Sequence, residues 1–454
     1  MENEVPLSTK TLLLLPILLI ISGYFYIVSE SPLAFSLYAL GIVGIIFFTV
    51  RPTWGFYLMA LMAPMIGPSF FIQGLIFTPI DLLAFLVLVG FYIRVILSTF
   101  FSKKPQRLIF PYFLYFFIFF ISILISNLLN EGAFASLWYA FRLILFFYLA
   151  YFSLGVSLVK DEKILKISIY CLAVSGLVVA MCGLLSLLGQ DITNNFFRVQ
   201  GLEIFGKYPF GENHNLIAEY LVIANFFVIA AKFWIKSISA QRMINIIFVL
   251  MFIITIATFS RAGWIVSGLQ LALFVMLAKK NKFKKILLCF ALLSLSIPVF
   301  IRMEQLQQEN YSSTEHRILL SQLAWKSFLE KPFFGEGTGK FTKVVGQNIR
   351  YTANYGEAVD SHGVWQKLIL ENGAVGTISF GLIIISFSVF LFRVLGRARE
   401  YYDLLLPLIV ASLGGIVYQF FNTSYYLGKL WIPLAITMAA ALFIKNQLYE
   451  SAKN

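Results

Sequence analysis

The stretch Phe252–Leu277, FIITIATFSRAGWIVSGLQLALFVML, carries a single charge, Arg261, near its middle. One helix through it would hold the guanidinium near a bilayer midplane, at a cost of several kcal/mol. The flanks offer another geometry. From Asn245 to Ala278 one helix would be about 50 Å long, against a hydrocarbon core of about 30 Å. Two spans of roughly 16 residues fit better, joined by a tight turn at Ser260-Arg261-Ala262-Gly263. Each half is slightly short for the core, so the turn belongs at or just under an interface. Arg261 is then a cation presented at the non-cytoplasmic end of a helical hairpin.

Composition points the same way. The chain has 454 residues, 59% hydrophobic, 17% aromatic and only 13% charged, with a mean hydropathy of +0.84. A soluble protein carries charge on about a quarter of its residues. The sequence therefore predicts an all-α polytopic membrane protein, a single integral domain over residues 1–454. Apolar runs fall near 12–28, 32–50, 54–71, 79–100, 109–126, 134–157, 166–188, 215–234, 244–259, 262–278, 286–301, 373–395, 404–421 and 430–448, giving about 12–14 transmembrane helices. The first run, from Leu12 to Val28, lacks a cleavage site and reads as a retained span. Cys171, Cys182 and Cys289 lie inside apolar runs and read as small core residues, with neither disulfide nor metal spacing.

A net charge of +13 would suggest nucleic acid in a soluble protein. Here the basic residues fall in alternate connections: Lys103, Lys104 and Arg107; Lys160, Lys163 and Lys166; Lys232, Lys236 and Arg242; Lys279 to Lys285; Arg393, Arg397 and Arg399. That is the positive-inside pattern, and it places both termini in the cytoplasm without a nucleic-acid partner.

On the opposite side two connections are long. Residues 189–213 carry Arg198 and Lys207, and residues 302–362 form the one sizeable loop. Within it, residues 314–331 (TEHRILLSQLAWKSFLEK) space Ile318, Leu319, Leu323, Trp325, Phe328 and Leu329 as an amphipathic helix. The loop balances seven basic against seven acidic residues between Arg302 and Asp360, so it is not a polybasic lipid-binding patch. His214, His316 and His362 all fall on this side. Arg142 sits some nine residues into its span, about 14 Å deep, and Glu219 lies one turn inside Asn215. Intramembrane charges face a bundle interior or cavity. Arg142 is expected to point into a central cavity, there to neutralise an anionic donor or pair with Glu219. Several arginines with a histidine suit a diphosphate, because guanidinium forks bind phosphate oxygens bidentately and keep their charge. No carboxylate pair for a metal-bridged diphosphate and no nucleotide-binding loop is present. The expected chemistry thus uses neither metal nor cofactor.

FRVQGL (Arg198, Gly201), NHNLIAEYL, SRAGW, KPFFGEGTGKF and SHGVWQKLILENGAVG follow one another in this order. That series resembles the O-antigen ligase and O-antigen polymerase superfamily over roughly residues 195–380. The resemblance implies a bacterial inner-membrane glycosyltransferase that moves glycan from undecaprenyl diphosphate to a sugar hydroxyl on the periplasmic face. It assigns Arg198 and Arg261 to the donor diphosphate, with Arg142 added from its depth, and His362 to activation of the acceptor. His214, Asn215 and Glu219 are accessory candidates. Two positions depart from the family pattern: Gly363 follows the histidine where Asn, Ser or Gln is usual, and His214 replaces a proline. The expected activity is a polymerase extending one lipid-linked glycan with another, with a chain-length regulator as partner. A ligase transferring glycan to lipid A–core is the alternative. A transporter of lipid-linked glycan is disfavoured by the one-sided loop and the absence of a pseudo-repeat.

Overall fold

The computed structural model describes residues 32–72, 75–101, 108–130, 140–190, 197–278 and 307–451, with Leu137, Ile286 and Cys289. The expected span near 12–28, most of the run 286–301, and the basic groups Lys103–Arg107 and Lys279–Lys285 lie outside these residues. In chain order the helices are α1 (Pro32–Val50), α2 (Pro52–Met62), α3 (Pro79–Phe101), α4 (Phe113–Leu129), α5 (Ala140–Leu158), α6 (Glu162–Leu185), α7 (His214–Ala231) and α8 (Ile238–Ala257). Then follow α9 (Arg261–Leu277), α10 (Gln307–Glu330), α11 (Phe341–Gly346), α12 (Ile349–Tyr355), α13 (Val364–Arg397), α14 (Tyr402–Tyr418) and α15 (Gly428–Ser451). A small hairpin, β1 (Phe70–Ile72) with β2 (Leu75–Phe77), separates α2 from α3. Among the described residues seven helices are long and apolar enough to cross a membrane, and α4, α9 and α14 are shorter apolar helices. The protein is an all-α polytopic membrane protein.

The hairpin read from Phe252–Leu277 is present as α8 and α9. Ser260 caps α9 by accepting a hydrogen bond from the Gly263 N–H at 3.1 Å, which makes Arg261 the first helical residue. The run near 54–71 does not form the expected span. Helix α2 ends at Met62 after 11 residues and turns 115° from α1. Pro52 starts it afresh, and Pro64, Gly67 and Pro68 cannot continue it.

Helices α7, α14 and α15 form the inside of the bundle, with α6 and α8 packed on α7 and α5 on α15. The long α13 is broken at Gly373, whose φ of 61° lies in the left-handed region. A Cβ there would meet the Phe333 carbonyl carbon at 2.5 Å and its oxygen at 2.6 Å. The break frees backbone groups, and the Pro332–Thr338 turn takes them up. Ala374 N–H donates to the Pro332 carbonyl (2.7 Å) and Glu336 N–H to the Leu370 carbonyl (2.8 Å). From α4, Asn127 Oδ1 accepts from Thr338 N–H (2.7 Å) and Ser126 Oγ donates to the Glu371 carbonyl (2.6 Å). The KPFFGEGTGKF and LENGAVG motifs are thus two halves of one interlock that fixes the large loop on the bundle.

Candidate active site

Arg198 lies on an extended segment rather than a helix. Val199 N–H donates to the Ala257 carbonyl at the end of α8 (3.0 Å), and the Gln190 amide brackets Arg198 from both sides (Nε2 to its carbonyl, 2.8 Å; Oε1 from its N–H, 3.1 Å). Arg198 is therefore carried on the helix that leads into Arg261. His214 opens α7 behind an Asn213 cap and lies in the field of Arg198 and Arg317.

Arg317, on α10, ties these groups together. It interacts electrostatically with Arg261, His214 and His362. Burial, then Arg261, draws its pKa below the ordinary arginine value, yet it remains a cation at any physiological pH. Among the described residues neither Arg261 nor Arg317 makes an ion pair with a carboxylate, and Arg317 Nε is buried without a hydrogen-bond partner. Half-buried cations that act on one another without acids favour an anion between them.

His362 precedes the Gly363 cap of α13. Its N–H donates to Gln366 Oε1 (3.2 Å), and Gln366 Nε2 donates to Ser321 Oγ on α10 (2.6 Å), so Arg317 and His362 are held by one pair of helices. The His316 ring stands edge-on to His362 at 5.4 Å and its Nε2 bonds the Tyr351 hydroxyl at 2.6 Å. Burial above all, then Arg317 and His316, pushes the His362 pKa down to about 4, while Asp360 opposes the shift. Burial and Arg317 lower His316 as well. The imidazole of His362 is neutral at pH 7, the form a proton acceptor requires.

The loop between α14 and α15 clamps His362 from behind. Val364 N–H donates to the Gln419 carbonyl (2.8 Å) and Thr423 Oγ1 to the Ser361 carbonyl (2.7 Å). A Cβ on Gly363 would lie 2.6 Å from the Phe420 carbonyl oxygen. This explains the departure at residue 363: the clamp leaves no room for Asn, Ser or Gln. Glu219 holds the loop itself, accepting from Gln419 Nε2 (2.8 Å), Asn422 Nδ2 (2.7 Å), Ser424 Oγ (3.1 Å) and Lys429 Nζ. One turn earlier, Asn215 Oδ1 accepts from Ser260 Oγ (2.7 Å), and the Tyr418 hydroxyl donates to the Asn215 carbonyl (2.8 Å). Helix α7 thereby fastens the start of the Arg261 helix and, through Glu219, the loop behind His362.

Arg142 takes a different place from the one expected. It does not meet Glu219, whose charge is already matched by Lys429. Its partner is Asp81 at 3.4 Å, which also accepts from the Tyr151 hydroxyl, and its guanidinium lies over the rings of Phe77 and Tyr426 (5.3 and 5.5 Å). A buried cation paired in this way joins α3 to α5.

Sequence reading missed Arg317 as a site residue. The signal was present: Arg317 stands three and seven residues before Leu320 and Ala324, so it belongs to the buried stripe of α10 and not to its wet face. Lys429 and Asp81 were missed because each finds its partner far away in sequence. Among the described residues no group of three or more His, Cys, Asp or Glu converges to hold a metal ion.

This arrangement defines a multi-pass membrane protein with a half-buried arginine–histidine site where its large loop meets the bundle. Residues 246–381 match the family described as O-antigen ligase, which supports the resemblance of the chain to the O-antigen ligase and polymerase superfamily. The matched stretch takes in Arg261, His316, Arg317 and His362, and supports glycan transfer as the activity. No curated protein matches the chain.

Proposed function

We propose that the protein is a periplasmic-face glycosyltransferase of the polysaccharide polymerase type, in the bacterial inner membrane with both termini cytoplasmic. It moves glycan from undecaprenyl diphosphate to a sugar hydroxyl. The observation that carries this reading is Arg317, whose charge acts on Arg261, His214 and His362, with no carboxylate paired to Arg261 or Arg317 among the described residues. Arg198, Arg261 and Arg317 bind the donor diphosphate. The acceptor hydroxyl oxygen attacks the anomeric carbon, the bond from that carbon to the diphosphate oxygen breaks, and the diphosphate leaves with the electron pair. The hydroxyl proton passes to the His362 imidazole, while the arginines stabilise the growing charge on the leaving oxygen. Seating the anionic donor offsets the field of Arg317 and so raises the basicity of His362 at the moment it is needed.

The ligase reading, with lipid A–core as acceptor, has the description of the matched family in its favour and uses the same chemistry. The test is the full-length protein in proteoliposomes, given a polyprenyl-diphosphate-linked glycan and either a second such glycan or lipid A–core. Elongated lipid-linked product supports the polymerase, and glycan on lipid A–core the ligase. Neither product, from folded protein, contradicts both. EDTA should leave turnover unchanged; its loss on chelation would contradict the metal-free mechanism.

A further inference from the structure

At the far end of α13 the structure holds a cavity of about 650 Å³ between α13 and α15. Phe390, Arg393, Val394 and Arg397 line it from α13; Lys445, Leu448 and Tyr449 line it from α15. These positions lie three and four apart on each helix, so each contributes one stripe. Among the described residues no carboxylate lines the cavity, and Arg393, Arg397 and Lys445 make no ion pair there. The three cations are exposed, and Lys445 Nζ lies 5.9 Å from the Phe390 ring centroid. From its break at Gly373, α13 runs about 26–36 Å to Phe390 and Arg397, so the cavity lies about one hydrocarbon-core thickness, ~30 Å, beyond that break. It therefore sits at the opposite membrane interface.

We infer that this groove binds the phosphate head group of an anionic phospholipid, with the cations on the phosphate and Phe390, Val394 and Leu448 against the start of an acyl chain. Topology alone would scatter basic residues around the helix ends. Here three converge on one concavity with an apolar wall, while the neighbouring Arg399 stays outside it. Basic pockets between spans on the cytoplasmic side suit anionic head groups.

The test uses full-length protein in neutral detergent, titrated with phosphatidylglycerol or phosphatidylcholine and read by native mass spectrometry. Wild type should prefer phosphatidylglycerol by about 10-fold or more. The Arg393→Gln/Arg397→Gln/Lys445→Gln variant should lose that preference, and Arg399→Gln should keep it. Retention of the preference by the triple variant overturns the proposal. Displacement of the lipid by an equal concentration of glycerol phosphate also overturns it, assigning the groove to a soluble phosphate. A salt titration of wild type gives a test independent of any variant: the preference should fall with rising ionic strength, and a flat response overturns the assignment.

Discussion

Glu219 on α7 and Lys429 at the start of α15 form an ion pair sealed inside the bundle, 0% and 2% exposed. The carboxylate also takes hydrogen bonds from Gln419, Asn422 and Ser424, so one buried charge pair organises the loop that backs His362. Removing one partner leaves the other charge buried and alone, at about 3–5 kcal/mol. Glu219→Gln should therefore lower the melting temperature of the purified protein. Replacing both residues by apolar ones of similar volume should recover much of that loss but not turnover, because the loop would still be slack. A Glu219→Gln protein with wild-type melting and wild-type turnover would remove the pair from this role.

The second buried pair, Asp81 with Arg142, should behave differently. Asp81→Asn alone strands the arginine and should destabilise the protein. The Asp81→Leu/Arg142→Leu double variant should fold and bind donor within about 3-fold of wild type, roughly the spread expected where no contact to the ligand is lost. Folded double variant with donor affinity reduced by two orders of magnitude would instead put Arg142 in the diphosphate site.

The depressed pKa of His362 fixes a pH signature. In the proposed mechanism its neutral form is the base, so kcat/KM should hold as pH falls and be lost only on approaching about 4. Arg317 lowers that pKa, second to burial. Arg317→Ala should thus move the acid limb upward, toward but not fully to the ordinary histidine value of about 6.5. A limb unchanged in Arg317→Ala would mean that the two residues are not coupled.

Much of this was legible in the sequence. The Arg261 hairpin followed from length alone, because one helix from Asn245 to Ala278 overshoots a bilayer. The depth of Arg142 and Glu219 correctly announced buried charges, but depth does not name a partner: Asp81 and Lys429 are 61 and 210 residues away. Run length misled at 54–71, where the prolines mattered more than the hydropathy. The role of Gly363 could not be read at all, since it depends on the Phe420 carbonyl that approaches it.

The proposed sidedness is open to labelling. In a cysteine-free background, Lys207→Cys and Asn354→Cys, both exposed at the site end, should react with a membrane-impermeant maleimide in intact spheroplasts. Arg399→Cys should react only after lysis. Reversal at any of the three would contradict the periplasmic site.

The central claim, that His362 accepts the acceptor proton while the arginines hold the donor, is tested most directly by His362→Ala in proteoliposomes. Donor binding and single-turnover rate are to be measured on the same preparation, with His214→Ala beside it. The account predicts a rate loss of about 10²–10⁴-fold for His362→Ala with donor affinity nearly intact, and a smaller loss for His214→Ala. Near-normal turnover in His362→Ala, with turnover abolished in His214→Ala, would contradict it.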